Sequence, residues 1–186
     1  MKRLFGAIEL PQSVTHPLVN LDPGIRGLRW IEPEHMHLTL SFFGNVSQDN
    51  EDTLIQKLSA IQWKAFFLPI VGLGKFPSKG SPNVLWIGVG SGHPHLFQLH
   101  KRVQEAALQS GIELELRSFH PHITLARCRN VPEQLLRSFL KAHAEFDAGM
   151  VHVVTFHLIS SRLSSAGSIY TREIACPSTT SLQLPR

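Results

Sequence analysis

The chain has 186 residues, of which 42% are hydrophobic and 17% charged, so it is long and apolar enough to fold around its own core. This composition excludes an intrinsically disordered chain. The formal net charge is +4 at pH 7 without a long block of Lys and Arg, so the sequence admits a polyanionic partner but has no basic tail that would grip a long duplex.

The sequence predicts neither a membrane span nor a secretion signal. No run of about 18 apolar residues occurs, which excludes a transmembrane helix. The apolar stretch near the N-terminus is too short for a signal peptide, and Glu9 and Pro11 interrupt it. Cys128 and Cys176 lie far apart without metal-binding spacing, which favours free thiols. We therefore expect a cytoplasmic protein that does not bind membranes.

The first half of the chain alternates between strand and helix patterns. It predicts a strand over 2–9, a weak helix over 12–22 that Pro17 disfavours, a short strand over 27–31 and a strand over 35–43 ended by Gly44 and Asn45. From Ser47 onward, apolar residues recur at helical spacing, and acidic residues near the start suit the helix dipole. A helix is therefore predicted after that strand.

The second half of the chain contains more strands than helices. It predicts strands over 64–73, 83–89, 120–127, 151–160 and 168–175, a polar loop over 74–82, and helices over 94–110 and from Pro132 to about Ala142. Several strands follow one another directly, which favours an α+β fold with mostly antiparallel sheets. The polar residues 178–186 are predicted to form a loose tail.

A ten-residue segment occurs twice. Residues 37–46 read HLTLSFFGNV and residues 122–131 read HITLARCRNV, which are identical at five of ten positions. A turn and a predicted helix follow each copy, so the repeated unit is a strand, a turn and a helix. The repeat predicts a single bilobal domain over 1–186, in which two mostly antiparallel sheets are related by pseudo-twofold symmetry. We expect the helices on the outside and a central groove between the lobes.

Alternation along a strand places the polar residues of each copy on one face. His37 and Thr39 share a face in the first copy, and His122 and Thr124 share a face in the second. A single histidine on a strand is most simply an exposed or hydrogen-bonded side chain. Packing, however, does not require His and Thr at matching positions twice. The two polar faces are therefore predicted to line the groove.

Two histidines on facing strands suit proton-transfer chemistry. Histidine titrates near neutral pH, so one imidazole can deprotonate a nucleophile while the other protonates a leaving group. Threonine hydroxyls can donate hydrogen bonds to a phosphoryl oxygen, and a nearby arginine can stabilise its charge. This set of groups suits cleavage of a phosphodiester at ribose without a metal.

Metal binding is the main chemical alternative. Three His-x-His pairs, which begin at His35, His93 and His120, offer imidazole ligands. No carboxylate or cysteine stands at ligand spacing within the two repeated motifs, so we expect no functional metal. The sequence also contains no G-x-S-x-G nucleophile motif and no glycine-rich phosphate loop.

Four parts of the sequence match one known family. They are residues 3–8 with Leu10 and Pro11, Arg29-Trp30 followed by residues 37–44, residues 119–127, and residues 161–163 with Gly167 and Tyr170. On these residues, over nearly the whole chain, the sequence resembles the two-histidine phosphoesterase superfamily. Within it, the sequence resembles the bacterial RNA 2′,3′-cyclic phosphodiesterases, also known as 2′-5′ RNA ligases. The paired motifs are specific, whereas the opening strand alone would be a weak signal.

The resemblance implies a bilobal α+β fold and hydrolysis of a 2′,3′-cyclic phosphate to a 2′-phosphomonoester. In that scheme His37 donates a proton to the leaving 3′-oxygen, and His122 accepts a proton from water. The resemblance also makes Thr39, Thr124 and Arg127 contacts of the phosphate. Family members can join 2′-5′ linkages in tRNA halves, which is the reverse chemistry, and no cofactor is implied.

Arg127 conflicts with simple alternation, which from His122 places it on the face opposite the groove. Either the strand bulges after Leu125 or it ends there and the side chain turns inward. The alternative is an arginine on the surface outside the groove. Arg162 is a similar case and a second candidate for the groove.

The expected partner is RNA with a 2′,3′-cyclic phosphate end, and the protein is expected to be a monomer. Phe5, Trp30, Phe43 and Tyr170 either stack on a base in the groove or pack in the core. Small cyclic nucleotides or an ADP-ribose cyclic phosphate are an alternative substrate class, which Lys75 and Lys79 in the polar loop would help to select. A further alternative is a module that holds RNA ends with vestigial chemistry.

Overall fold

The computed structural model describes residues 1–91, 93–115, 118–164 and 167–179. None of the helices in this part of the chain is long and apolar enough to cross a membrane. The α-helices are α1 (Gln12–Val19), α2 (Gln48–Ser59), α3 (Pro94–Gln109) and α4 (Glu133–Ala142). The strands are β1 (Lys2–Glu9), β2 (Leu28–Trp30), β3 (His37–Val46), β4 (Phe66–Val71), β5 (Leu73–Phe76), β6 (Val84–Gly88), β7 (His122–Cys128), β8 (Asp147–Val153), β9 (Thr155–Ser164) and β10 (Gly167–Pro177).

Eight strands form one sheet in the order β10-β9-β1-β3-β7-β6-β5, with β2 paired to β7 beside this path. β4 and β8 form a second, two-stranded sheet. These strands pair antiparallel, so the predicted α+β fold with antiparallel sheets is confirmed. The two halves of the large sheet meet at β3 and β7, which contain the repeated segments. Only one residue pair, Leu38 with Ile123, joins these two strands.

The repeated segments bury their apolar residues on one face of the large sheet. Leu38, Leu40, Ile123 and Leu125 are at most 1% exposed. α3 packs against β3, and α2 packs against α3. Burial of each such side chain contributes about 1.5–3 kcal/mol to stability. The core therefore fixes which face of β3 and β7 remains available for a groove.

β3 continues past Gly44 to Val46, so the prediction that Gly44 and Asn45 end this strand is wrong. Gly44 has φ +70°, a conformation that glycine adopts without steric cost. The residue before it, Phe43, has no partner in β1, because the pairing of β1 shifts from Gly44 to Phe42 at this point. This local irregularity accommodates the glycine, and pairing with β1 resumes on both sides.

Two other predicted boundaries are wrong because the chain passes from one sheet to the other. The predicted strand 64–73 comprises β4 and the start of β5, which are separated at Gly72 with φ +83°. β5 extends into the predicted loop because it pairs with β6. The predicted strand 151–160 is divided at Val154 into β8, which pairs with β4, and β9, which joins the large sheet. Alternating patterns do not distinguish one long strand from two consecutive strands.

The predicted loose tail is held at its first two residues. Ser178 N donates a hydrogen bond to Val154 O, and Thr179 N donates one to Trp63 O, each at 2.8 Å. The prediction of a loose tail from residue 178 is therefore wrong for these two positions. Residues 180–186 lie outside the described residues.

Trp86 on β6 packs directly on the backbone of Gly74 on β5. A Cβ atom at Gly74 would lie 2.2 Å from the indole ring, so no larger residue fits there. The ring centroid of Trp86 lies 5.1 Å from that of Phe76 and 5.3 Å from that of His120. The close approach of β5 thus determines how aromatic rings pack beside β7.

Gly74→Ala is expected to lower the free energy of unfolding by about 1–3 kcal/mol, because the added methyl group displaces the Trp86 ring from a packed position. Urea unfolding followed by circular dichroism measures this change. Gly6→Ala is the matched control, since a Cβ there meets Phe43 and Val103 at 3.5 Å, an ordinary contact distance. Equal unfolding midpoints for the two variants would contradict the packing argument.

Candidate active site

β3 contains an extra residue directly after its His-x-Thr pair. Thr39 pairs with Ala7 and Ser41 pairs with Gly6, so Leu40 has no partner in β1. Leu40 and Ser41 are both buried although they are consecutive, with exposures of 1% and 8%. A β-bulge explains this, because one added residue reverses the alternation of faces beyond it.

The same bulge occurs at the matching position of β7. Thr124 pairs with Trp86 and Ala126 pairs with Leu85, which leaves Leu125 without a partner in β6. Leu125 and Ala126 are consecutive, and both are 0% exposed. The bulge is therefore part of the repeated unit, although it depends on different partner strands in the two halves.

Beyond each bulge the next side chain returns to the face of the histidines. Phe42 does so in β3, where it is 64% exposed, and Arg127 does so in β7. The sequence left two explanations for Arg127, a bulge after Leu125 or the end of the strand there, and the structure shows the bulge. Phe43 is only 4% exposed and packs beneath Gly6, so of its two alternatives, the groove or the core, the structure shows the core. The bulge turns Phe43 into the core and its neighbour Phe42 outward.

A groove of about 880 Å³ crosses the seam between the two halves of the sheet. The predicted site residues that line it are His37, Thr39, His122, Thr124, Arg127, Phe5, Arg162 and Tyr170. It is also lined by side chains that the sequence did not single out, among them Arg3, Arg29, Phe42 and Asn45. The repeat contained a signal for Phe42, which stands at the position of Arg127. The other three depend on strand pairing that the sequence does not reveal.

The loop lysines lie outside this groove. Lys75 Nζ donates hydrogen bonds to Gly80 O at 3.0 Å and Pro77 O at 3.4 Å, and it lies 3.7 Å from the carboxylate of Glu133. The Lys75 ammonium group therefore forms its hydrogen bonds within its own loop. Neither Lys75 nor Lys79 lines the groove beside the two histidines.

Each groove histidine is oriented by the same backbone hydrogen bond. His37 Nδ1 lies 2.8 Å from His35 O, and His122 Nδ1 lies 2.7 Å from His120 O. A carbonyl oxygen only accepts, so Nδ1 of each ring carries the proton. In the neutral imidazole, Nε2 is then the basic nitrogen. Both rings are thereby prepared to exchange a proton through Nε2.

Aromatic rings surround each of the two histidines. The ring of His37 lies 5.0 Å from Phe5 and 5.6 Å from Tyr170. The ring of His122 lies 5.0 Å from Phe76 on the opposite side of the seam. Phe76 was missed because it falls in the segment predicted as a loop. These rings remove water from one side of each imidazole without supplying a charge.

Burial lowers the pKa of both groove histidines below 6.5, because desolvation penalises the charged form. The hydrogen bond to the carbonyl oxygen opposes this effect in each case. The positive charge of Arg127 lowers the pKa of His122 further. Glu9 acts in the opposite direction on His37 and raises its pKa. The free protein at pH 7 therefore holds both imidazoles mainly neutral.

The groove concentrates positive charge. Arg29 and Arg127 are direct neighbours in the pairing of β2 with β7, and both line the groove. Within the described residues, neither forms an ion pair with a carboxylate. Like charges placed opposite one another on a sheet are unfavourable. An anion bound between the two guanidinium groups would relieve that repulsion and gain charge-assisted hydrogen bonds.

The other histidine pair lies away from the groove. His95 stacks on Phe66, with 6.2 Å between ring centroids, at the start of α3. Within the described ranges, no group of three or more His, Cys, Asp or Glu side chains is placed to hold a metal ion.

Both halves of the chain match the same family model, described as LigT like Phosphoesterase. The matched residues are 8–86 and 87–170, and each segment contains one His-x-Thr pair. The chain belongs to the LigT-like phosphoesterase family. The double match also agrees with the internal repeat, because each half is recognised separately.

Curated relatives in this family are similar over most of their length. A protein of Archaeoglobus fulgidus named RNA 2′,3′-cyclic phosphodiesterase is 31% identical over 172 residues, which cover 90% of this chain and 96% of the relative. A protein of Aquifex aeolicus with the same name is 35% identical over 146 residues, which cover 77% of this chain and 78% of the relative. E. coli LigT in complex with 3′-AMP superposes with a TM-score of 0.80 at 26% identity, covering 96% of this chain and 99% of LigT.

Arg127→Gln is expected to raise the pKa of His122 and to leave that of His37 nearly unchanged, because only His122 feels this guanidinium charge. NMR titration of the imidazole resonances measures both values. In the unsubstituted protein both histidines are expected to titrate below pH 6.5. An unchanged His122, or equal shifts at both histidines, would contradict the described electrostatics.

The same pKa values determine how stability responds to pH. The unfolded chain binds protons at these histidines near pH 6.5, whereas the native chain binds them only at lower pH. The free energy of unfolding is therefore expected to fall as the pH drops below about 6.5. His37→Gln and His122→Gln variants should each show a shallower fall in urea unfolding across this range.

Proposed function

We propose that this protein is an RNA 2′,3′-cyclic phosphodiesterase that opens the cyclic phosphate to a 2′-phosphomonoester. The observation that carries the proposal is the pair of imidazoles on one groove, each with its Nδ1 proton fixed by a backbone carbonyl. The names of the curated relatives support the substrate class. The complex of E. coli LigT with 3′-AMP supports a nucleotide-sized ligand in a groove of this kind.

His122 acts as the general base and His37 as the general acid in this proposal. Nε2 of His122 takes a proton from water while the water oxygen forms a bond to phosphorus. The bond from phosphorus to the 3′-oxygen breaks, and protonated His37 gives its Nε2 proton to that oxygen. The attacking and leaving oxygens lie roughly in line in phosphoryl transfer, which suits two groups on opposite halves of the groove. The phosphate stays on the 2′-oxygen.

The remaining polar groups hold the phosphoryl oxygens. Thr39 and Thr124 share the faces of the histidines and can donate hydroxyl hydrogen bonds. Arg127 and Arg29 supply the charge that the pentavalent transition state requires. Because these two guanidinium groups repel each other, binding of an anion between them is favourable. This arrangement stabilises the reacting phosphate with groups of the protein alone.

The same groups also support 2′-5′ ligation, in which an RNA 5′-hydroxyl takes the place of water. His122 takes the proton of the 5′-hydroxyl while its oxygen forms a bond to phosphorus, the bond from phosphorus to the 3′-oxygen breaks, and His37 protonates the 3′-oxygen. The proposal therefore includes RNA ends, such as those of tRNA halves, as partners. The second candidate is a module that only holds RNA ends. The positive charge of the groove supports RNA binding in both candidate functions. Turnover distinguishes the two.

Replacing either His37 or His122 with Ala is expected to lower kcat about 10²–10⁴-fold on an RNA with a 2′,3′-cyclic phosphate end, because each supplies one proton transfer. The measurement is formation of the 2′-phosphate product by chromatography. His152→Ala is the matched control, since His152 stacks on Phe67 outside the groove. Full activity of the His122→Ala variant would overturn the mechanism, and tight RNA binding without turnover in the unsubstituted protein would favour the binding module.

The pH profile of kcat/KM is expected to reach its maximum below pH 6.5 and to fall at higher pH. One histidine must carry a proton and the other must not, and burial lowers both pKa values in the free protein. Steady-state rates from pH 4.5 to 8.5 measure the profile. A maximum well above pH 7 would show that these imidazoles do not control the reaction.

Hydrolysis is expected to survive dialysis against EDTA, because the proposed steps use only protein groups. The rate before and after dialysis, and after addition of Zn²⁺ or Mn²⁺, measures this. A large loss on chelation that the metal restores would favour the metal alternative raised by the His-x-His pairs.

A further inference from the structure

The two halves of the groove differ in length although they share a repeat. β3 runs on to Val46, whereas β7 ends at Cys128, the residue that matches Phe43. Asn45 therefore lines the groove from a strand, while its counterpart Asn130 sits in a turn with φ 55°. The floor of the groove extends further from the histidines on the His37 half than on the His122 half.

A polar row crosses this extra floor. Arg3 on β1 pairs with Asn45 on β3 and with Ser161 on β9, so the three residues are neighbours across adjacent strands. Arg162 follows Ser161, and all four residues line the groove. Within the described part of the chain, neither arginine forms an ion pair with a carboxylate. We name Arg3, Asn45, Ser161 and Arg162 the polar row.

The polar row is too far from the catalytic threonine to serve the reacting phosphate. Thr39 and Asn45 pair with Ala7 and Arg3, which are four residues apart on β1, and this corresponds to roughly 13 Å at about 3.3 Å per residue. Between them lie the aromatic rings of Phe5 and Phe42, whose centroids are 5.9 Å apart. Aromatic rings suit stacking of a base, and paired arginines and amides suit a phosphodiester backbone.

We propose that the polar row binds the RNA backbone on the 5′ side of the cyclic phosphate, with the terminal base against Phe42. This inference rests on the proposed function and specifies its substrate as an oligoribonucleotide rather than a mononucleotide. The matching position to Phe42 in the other half is Arg127, so one side of the groove holds a base and the other holds the phosphate. The internal symmetry is thus broken at this pair of equivalent residues.

The direction of the RNA also assigns the two proton transfers. The leaving 3′-oxygen belongs to the ribose of the RNA, whereas the attacking water approaches from the opposite side of the phosphorus. With the RNA body on the polar row, the ribose faces His37 and the water faces His122. This placement agrees with the proposed roles of His37 as the acid and His122 as the base.

Substrates of increasing length test this placement. The probes are 2′,3′-cyclic AMP and oligoadenylates of two, three and four residues that end in a 2′,3′-cyclic phosphate. The ratio of kcat/KM for the tetramer to that for the mononucleotide is expected to exceed 10 at low salt, mainly through a lower KM. It is expected to fall as salt rises, since phosphate contacts release counterions. A ratio near 1 at all salt concentrations overturns the polar row while leaving the proposed function intact.

Variants of the polar row provide the second arm of the test. Arg3→Gln and Arg162→Gln are each expected to reduce that ratio about fivefold and to lower the slope of log KM against log salt by about 0.7. Arg137→Gln, which removes the same charge from the exposed face of α4, should retain the ratio. Equal reductions in all three variants would indicate a general charge effect and overturn the inference. Absence of turnover on every probe would instead refute the proposed function.

Discussion

A bulge of one residue after each His-x-Thr pair is the constraint on which the groove depends. It allows two consecutive apolar side chains, Leu125 and Ala126 in β7, to enter the core. The residue after them then faces the histidines, which places Arg127 beside His122. Without the bulge, strict alternation would bury an arginine and expose Ala126, and burying an unpaired charge is costly. The same bulge therefore serves both the packing of the core and the placement of Arg127, the proposed phosphate contact.

The electrostatics of the groove follow from buried imidazoles and from arginine charges that no carboxylate neutralises within the described residues. Desolvation keeps both imidazoles neutral, and guanidinium groups remain without carboxylate partners in the described residues. Each of these features costs stability in the empty protein. A phosphate would offset the cost, because its charge favours protonation of one histidine and offsets the repulsion between Arg29 and Arg127. In the proposed mechanism, binding of the anion would therefore favour protonation of the acid.

The sequence revealed those parts of the site that depend on local periodicity. His37, Thr39 and their counterparts follow from period-two alternation inside short segments, and their shared groove follows from the repeat. The face of Arg127 did not follow, because a bulge depends on which residues of a partner strand are skipped. For the same reason Phe43, and not its neighbour Phe42, was considered as a groove residue. The boundaries of β5, β8 and β9 were predicted wrongly, because they fall where the chain passes from one sheet to the other. That change depends on pairing with strands distant in the sequence.

The orientation of each imidazole is set locally within its own half of the sheet. Leu38 and Ile123 join β3 to β7, whereas the hydrogen bond that orients each imidazole lies wholly inside its own half. The tautomer of each ring therefore does not depend on pairing across the seam. A substitution that disturbs one half would leave the Nδ1 proton of the other ring in place.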